Sequence, residues 1–142
     1  MKTLRQLLQG KGGDVHSIGP EARVYDALKL MAEKDVGALV VMDSGKLVGI
    51  ISERDYARKV ILHGKSSHDI SVRDIMTAKV VTVQPAQTVE ECMSVMTNRR
   101  IRHLPVTEGE RLIGVVSIGD LVKEVISDQE QTIKQLESYI HS

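Results

Sequence analysis

Gly49-Ile50-Ile51-Ser52-Glu53-Arg54-Asp55 and Gly114-Val115-Val116-Ser117-Ile118-Gly119-Asp120 are two versions of one phrase, 65 residues apart. Each runs from a β-branched apolar stretch into a Ser followed three residues later by Asp, the spacing at which an N-cap pairs with the third residue of its helix. A strand therefore ends and a helix begins at each Ser. The same offset aligns residues 15–55 with 80–120 without a gap, and ten of these 41 pairs are identical: Val15/Val80, Pro20/Pro85, Val24/Val89, Met31/Met96, Leu39/Leu104, Val41/Val106, Leu47/Leu112, Gly49/Gly114, Ser52/Ser117 and Asp55/Asp120. Seven further pairs exchange Val, Ile, Leu and Met. The chain holds a duplicated supersecondary unit.

Each copy has the same order of elements. In the second, Val80-Val81-Thr82-Val83 reads as a short strand leading to Pro85, which suits the turn ahead of a helix. Val24, Ala27, Leu28 and Met31 stand at i, i+3, i+4 and i+7, as do Val89, Cys92, Met93 and Met96, so each helix carries one apolar face. Thr88 and Glu91 have the spacing of a capping box. Apolar runs over 38–42 and 47–51 are joined by Asp43-Ser44-Gly45, and those over 104–107 and 112–116 by Glu108-Gly109-Glu110; both connections suit a hairpin turn. A closing helix is predicted from Arg54 to His63, stopped by Gly64, and another from Gly119 onward.

The fold class is therefore α+β, with two βαββα repeats. Units of about 60 residues are marginal alone, so the repeats are expected to pack sheet against sheet about a pseudo-twofold axis. The predicted organisation is an N-terminal extension over 1–14, a first repeat over 15–65, a linker over 66–79, a second repeat over 80–126 and a C-terminal helical tail over 127–142. Ser71-Val72-Arg73-Asp74 has the capping spacing of a short helix within the linker. Leu4, Leu7 and Leu8 give the extension an apolar side. In the tail, Ile133, Leu136 and Ile140 form a narrow seam that suits either a helix resting on its own domain or a dimer contact.

Composition narrows the function. Lys plus Arg and Asp plus Glu number 19 each, for a net charge of zero, which removes the broad electrostatic footprint of a nucleic-acid binder. Three Tyr with no Trp or Phe give no stacking platform for single strands. The lone Cys92 has no partner for an internal disulfide and falls on the apolar face of its helix, which points to a packed thiol in a reducing compartment. No signal-length apolar run opens the chain and nowhere do eighteen apolar residues follow one another, so no membrane association and a cytoplasmic location are expected.

The duplicated junction admits two readings. A helix cap accounts for Ser and Asp by itself. The same geometry also presents backbone N–H groups and a hydroxyl to a phosphate, and a carboxylate one turn in to the two hydroxyls of a ribose. Gly, two apolar residues, Ser, two residues and Asp at the strand-to-helix junction of a doubled βαββα unit resemble the cystathionine β-synthase (CBS) domain pair, or Bateman module. Val72-Arg73-Asp74-Ile75-Met76-Thr77 and Arg102-His103-Leu104-Pro105-Val106 are similar to further stretches of that family. The resemblance covers residues 15–125 or so and implies two clefts that bind AMP, ADP, ATP, NAD(H) or S-adenosylmethionine, in a module that dimerises as a flat disc.

On that resemblance, Asp55 and Asp120 hold ribose hydroxyls and Ser52 and Ser117 contact ribose or phosphate. Ile50, Ile51, Val115 and Val116 flank adenine, while the backbone near Thr82 and Val83, or near Ser17 and Ile18 in the first copy, reads its edge. Arg102 and His103 suit a phosphate. The first copy has Gly37 and Ala38 at those positions and Val40 in place of Pro105, so Arg54 and Arg58, one turn apart, are its candidates for charge. The two sites are thus expected to prefer different phosphate arrangements.

Other features are weaker. His16, His63, His68, His103 and His141 lack metal-ligand spacing, so no metal is expected. Gly10-Lys11-Gly12-Gly13 lacks the ending of a P-loop and reads as a linker. Arg99, Arg100, Arg102 and His103 suit a ligand phosphate or the solvent better than RNA at zero net charge. The expected function is a non-catalytic sensor that signals adenosine-ligand occupancy to a partner protein, as a homodimer. The alternatives are a constitutive scaffold with vestigial sites and a nucleotide-hydrolysing enzyme, and the latter lacks a metal-binding carboxylate cluster or an obvious base.

Overall fold

The computed structural model describes residues 2–12 and 14–141. Three of its helices begin at a Ser or Thr whose side chain satisfies a helix-start N–H group. Helix α1 (Leu4–Lys11) opens on a capping box in which Thr3 Oγ1 accepts from the Gln6 amide and Gln6 Oε1 from the Thr3 amide. Strand β1 (Ser17–Ile18), helix α2 (Val24–Lys34) and strands β2 (Ala38–Asp43) and β3 (Lys46–Ser52) follow. Helix α3 (Glu53–Lys59) continues into a 3₁₀ turn over Ile61–His63, which Gly64 ends in the left-handed region. Then come α4 (Val72–Ile75), α5 (Val89–Arg99), β4 (His103–Glu108), β5 (Arg111–Ser117) and α6 (Ile118–His141). The hairpin turns stand as predicted: Ser44 and Gly45 both take positive φ between β2 and β3, and Gly109 does so between β4 and β5. Thr88 caps α5 by accepting from the Glu91 amide at 3.2 Å.

Two compact units result. One is built from Asp14–Val81 with Gly109–Leu112; the other takes the N-terminal segment, Thr82–Glu108 and the chain from Ile113 onward. In the first, β1 lies parallel to β2, which pairs antiparallel with β3 in register Ala38 to Ser52 and Val40 to Ile50. Val24, Ala27, Met31, Leu39, Val41, Ile51, Val60, Val72 and Ile75 form its core. In the second, Leu4, Leu7, Val89, Cys92, Met96, Leu104, Val106, Val116 and Leu121 are buried. Cys92 is fully buried, and burial pushes its thiol up to about 11, so it is an inert packed group.

The strand expected over 80–83 is reduced to one parallel bridge, Val83 to Val106. Val83 donates to the Pro105 carbonyl and accepts from the Thr107 amide. The next rung toward Val81 needs an N–H at position 105, and proline has none. In the first copy Val40 stands there, and the ladder extends to Ser17.

The N-terminal segment is no loose extension. Leu4 and Arg5 donate to the Gln87 and Pro85 carbonyls, just as Val72 and Arg73 donate to Ala22 and Pro20, the matching residues of the other copy. Thr3 through Leu8 thus correspond to Ser71 through Met76, at an offset of 68. The helix ahead of the second copy joins the first unit, and the helix ahead of the first copy joins the second. The two repeat glycines explain this fit. A Cβ on Gly49 would stand 2.6 Å from Met76 Sδ and 3.1 Å from the Thr77 carbonyl, and one on Gly114 would stand 2.6 Å from Leu8 Cδ2. Only hydrogen leaves room for the entering helix.

Gly114→Ala is expected to destabilise the chain by about 1–3 kcal/mol through overpacking. Leu8→Ala removes the atoms the new methyl would meet, so the double variant should lose less than the sum of the two single losses. Urea-unfolding midpoints of the four proteins check the coupling, and strictly additive losses would contradict the contact.

Candidate functional site

Ser52 and Ser117 sit where β3 and β5 end, with extended backbone at Ser52 and a helix directly after each. The first helical amide in each copy is taken by the matching carbonyl at the start of the hairpin, Glu53 by Gly37 at 3.0 Å and Ile118 by Arg102 at 2.9 Å. The caps are reciprocal. Asp55 Oδ2 accepts from the Ser52 amide at 2.9 Å and hydroxyl at 3.1 Å, while the Asp55 amide donates to Ser52 Oγ at 3.2 Å. Asp120 Oδ2 accepts from the Ser117 amide at 2.8 Å, and the Asp120 amide donates to Ser117 Oγ at 3.1 Å. The cap thus fixes each carboxylate at a set height above its strand end.

A lysine also lies on each carboxylate, and the sequence reading missed both. Lys59 Nζ, four residues along α3, is 3.1 Å from Asp55 Oδ1 and donates to the Ile75 carbonyl at 2.8 Å. Lys11 Nζ, at the last residue of α1, is 2.6 Å from Asp120 Oδ2 and donates to the Val115 carbonyl at 2.8 Å. Lys11 therefore ends a helix and pairs with Asp120, where the sequence suggested a linker. The Asp55–Lys59 spacing was open to inspection as an i,i+4 ion pair. Lys11 reaches its carboxylate across more than a hundred residues of chain, and nothing local marks it.

Electrostatics keep Asp120 charged. Burial alone would raise its carboxyl, but the bonds from Lys11 and Ser117 outweigh burial and hold it below the ordinary carboxylate value. Burial also lowers the His103 imidazole, against the pull of the Asp120 carboxylate, so at neutral pH His103 offers a phosphate a hydrogen bond rather than a charge. Arg102 is exposed beside it, as are Arg54 and Arg58 on α3.

The remaining expected residues divide by strand alternation. Ile50 and Val115 are half-buried on the same strand faces as Ser52 and Ser117, where a ligand has access. Ile51 and Val116 point the other way and are fully buried, so their expected place beside adenine does not hold. Ser17 is exposed and Ile18 half-buried on β1, and Ser17 lies in register with Val40 and through it with Ile50. Thr82 is exposed. Val83 is buried, donating its amide to the Pro105 carbonyl and accepting from the Thr107 amide. Among the described residues no group of three or more His, Cys, Asp or Glu side chains is placed to hold a metal, and no helix is long and apolar enough to cross a membrane.

Known proteins share this layout. The CBS domain family model matches residues 13–62 and 72–127. The chain is 48% identical over 122 residues to the CBS domain-containing protein CBSX3, mitochondrial, of Arabidopsis thaliana, a match covering 82% of this chain and 59% of that protein. It therefore spans less than two thirds of that relative's length. The structure of a putative signal-transduction protein with CBS domains from Burkholderia ambifaria superposes with a TM-score of 0.87 at 52% identity, covering 90% of this chain and 96% of that one. The CBS domain pair of protein MJ0100, in complex with 5′-methylthioadenosine and S-adenosyl-L-methionine, shares the fold at a TM-score of 0.80 and 23% identity, covering 90% of this chain and 98% of that one. The α+β architecture, the doubled Ser–Asp junction and the two matched segments agree: the chain belongs to the CBS-domain family and carries two CBS domains in tandem.

Proposed function

We propose that this chain is a non-catalytic regulatory module that binds adenosine-containing ligands at Asp55 and at Asp120 and signals their occupancy to a partner protein. The observation that carries the reading is the reciprocal Ser–Asp cap, present in both copies, which anchors a half-buried carboxylate through Oδ2 at each strand-to-helix junction. A vicinal diol donates two O–H bonds to such an acceptor, and charge-assisted bonds of this kind are worth about 1.5–3 kcal/mol each. Ile50 and Val115 supply apolar contact for a base, and Arg54 and Arg58, or Arg102 with His103, supply donors for phosphate. AMP, ADP, ATP, NAD(H) and S-adenosylmethionine all carry the required adenosine. The ligands in the MJ0100 complex carry it too.

Occupancy has a structural consequence here. A ribose that takes Asp120 competes with the Lys11 ammonium for that carboxylate, and Lys11 belongs to the helix that packs on Gly114. Ligand binding is thereby coupled to the seating of α1, which gives a partner something to read.

Thermal shifts with AMP, ATP, NAD, NADH and S-adenosylmethionine, with GTP as control, test the reading. At a concentration about 100 times the dissociation constant, a ligand adds about 2.7 kcal/mol of stability. Asp55→Ala and Asp120→Ala should each weaken one site by about tenfold to a hundredfold. No shift with any adenosine compound, from folded protein, would favour a constitutive scaffold.

Lys11→Gln should raise the affinity of the Asp120 site for adenosine by up to about fivefold, the worth of one partly exposed ion pair. Calorimetric titration reads this directly. A loss of adenosine affinity would mean that Lys11 holds the site open rather than competing for it.

A further inference from the structure

The outer edge of each hairpin, on the far side of β3 and β5, is finished differently in the two copies. In the first, Met76 leaves helix α4 with extended backbone and Thr77 pairs antiparallel with Ile50 on β3. The Ile50 amide donates to the Thr77 carbonyl at 3.0 Å, and the Thr77 amide donates to the Ile50 carbonyl at 2.8 Å. One extended residue thus satisfies both outward backbone groups of Ile50.

The second copy has no such residue. Its entering helix α1 runs on through Gln9 and Gly10 to Lys11, past the point where the first copy has become extended. β5 belongs to a two-stranded sheet, and among the described residues no bridge reaches its outer side. Val115 stands where Ile50 stands in the repeat and faces that side. Two residues on, the Ser117 amide turns outward to Asp120, and the Val115 carbonyl itself accepts from Lys11 Nζ at 2.8 Å. The Lys11 ammonium therefore stands in for the Thr77 amide. An ammonium donates and never accepts, so it leaves the Val115 N–H unanswered, and no backbone carbonyl of another described element accepts from that group.

We infer that the outer edge of β5 at Val115 is a docking site for an extended segment of a partner protein, which adds to the sheet as a short antiparallel strand in place of Lys11. The twin edge shows what fits: an extended residue whose N–H meets the Val115 carbonyl and whose carbonyl meets the Val115 N–H, as Thr77 meets Ile50. That residue cannot be proline. Leu8 already fills over Gly114 the space that Met76 fills over Gly49, so a small side chain suits the position ahead of it. Until the segment arrives Lys11 guards the edge, as lysines on exposed strand edges do. Docking does not depend on adenosine binding.

Hydrogen exchange and peptide titration of the ¹⁵N-labelled full chain test the inference. In the free protein the Val115 amide should exchange at least about tenfold faster than the Ile50 amide. The probe is a capped peptide with the sequence of residues 75–79 carrying Met76→Ala. It should bind saturably, shift the Val115 amide and slow its exchange. N-methylation of the peptide at position 77 removes the donor to Val115 and should weaken binding about threefold to tenfold. N-methylation at position 78, whose N–H points away from the edge, should cost little. Lys11→Ala frees the Val115 carbonyl and should tighten binding by up to about fivefold. A Val115 amide as protected as that of Ile50, no saturable binding, binding that leaves Val115 unmoved, or equal losses from the two N-methyl positions would each overturn the proposal.

Discussion

Everything distinctive about this chain depends on a carboxylate bonded back to the amide of its own helix cap. At Ser117–Asp120 and Ser52–Asp55 the same contacts end a strand, start a helix and hold a half-buried carboxylate in place. A helix start has amides to satisfy whether or not a ligand ever binds. The cap therefore has a structural reason to exist, and the proposed ligand site would be an additional use of the side chain that the cap positions. This is how one phrase of seven residues can set both the fold and the candidate chemistry.

The lysines make the two sites unequal. Lys59 is part of the helix that carries Asp55, so its ammonium stays on a short leash and is also tied to the Ile75 carbonyl. Lys11 arrives on a separate helix and sits next to Gly12, whose φ of 96° ends that helix. Releasing Lys59 needs only a side-chain rotation. Lys11 instead ties Asp120 to a separate helix, the one whose Leu8 packs on Gly114. The asymmetry between the two proposed sites thus lies in where the counter-charge originates, while the carboxylates themselves are held alike.

Much of this was legible in the sequence because the repeat falls on punctuation. Caps, hairpin glycines and apolar helix faces recur at an offset of 65, and the structure places α2, β2, β3, α5, β4 and β5 where that pattern put them. The role of α1 was hidden because its segment repeats at a different offset and shares only Arg5 with Arg73 as an identity. What recurs there is physical type: a hydroxyl cap, two inward aliphatics and a long side chain over a glycine. Ile51 and Val116 were misread as ligand neighbours because paired apolar residues on a strand look alike in sequence, whereas alternation sends only one of each pair outward. The strand expected over 80–83 came out shorter because Pro105 has no N–H to extend the ladder past the Val83–Val106 bridge. The tail was read as separate from the closing helix, yet no Gly or Pro lies between Asp120 and His141 to break it.

The central claim is that the two caps are also the two ligand anchors. Amide chemical-shift mapping of the ¹⁵N-labelled chain during titration with AMP tests it most directly. The account predicts saturable shifts concentrated at Ser52, Asp55, Ser117 and Asp120, with Lys11 and its helix neighbours moving along with the Asp120 set. Saturable binding that left those amides unmoved and perturbed another region, or no binding at all, would contradict it.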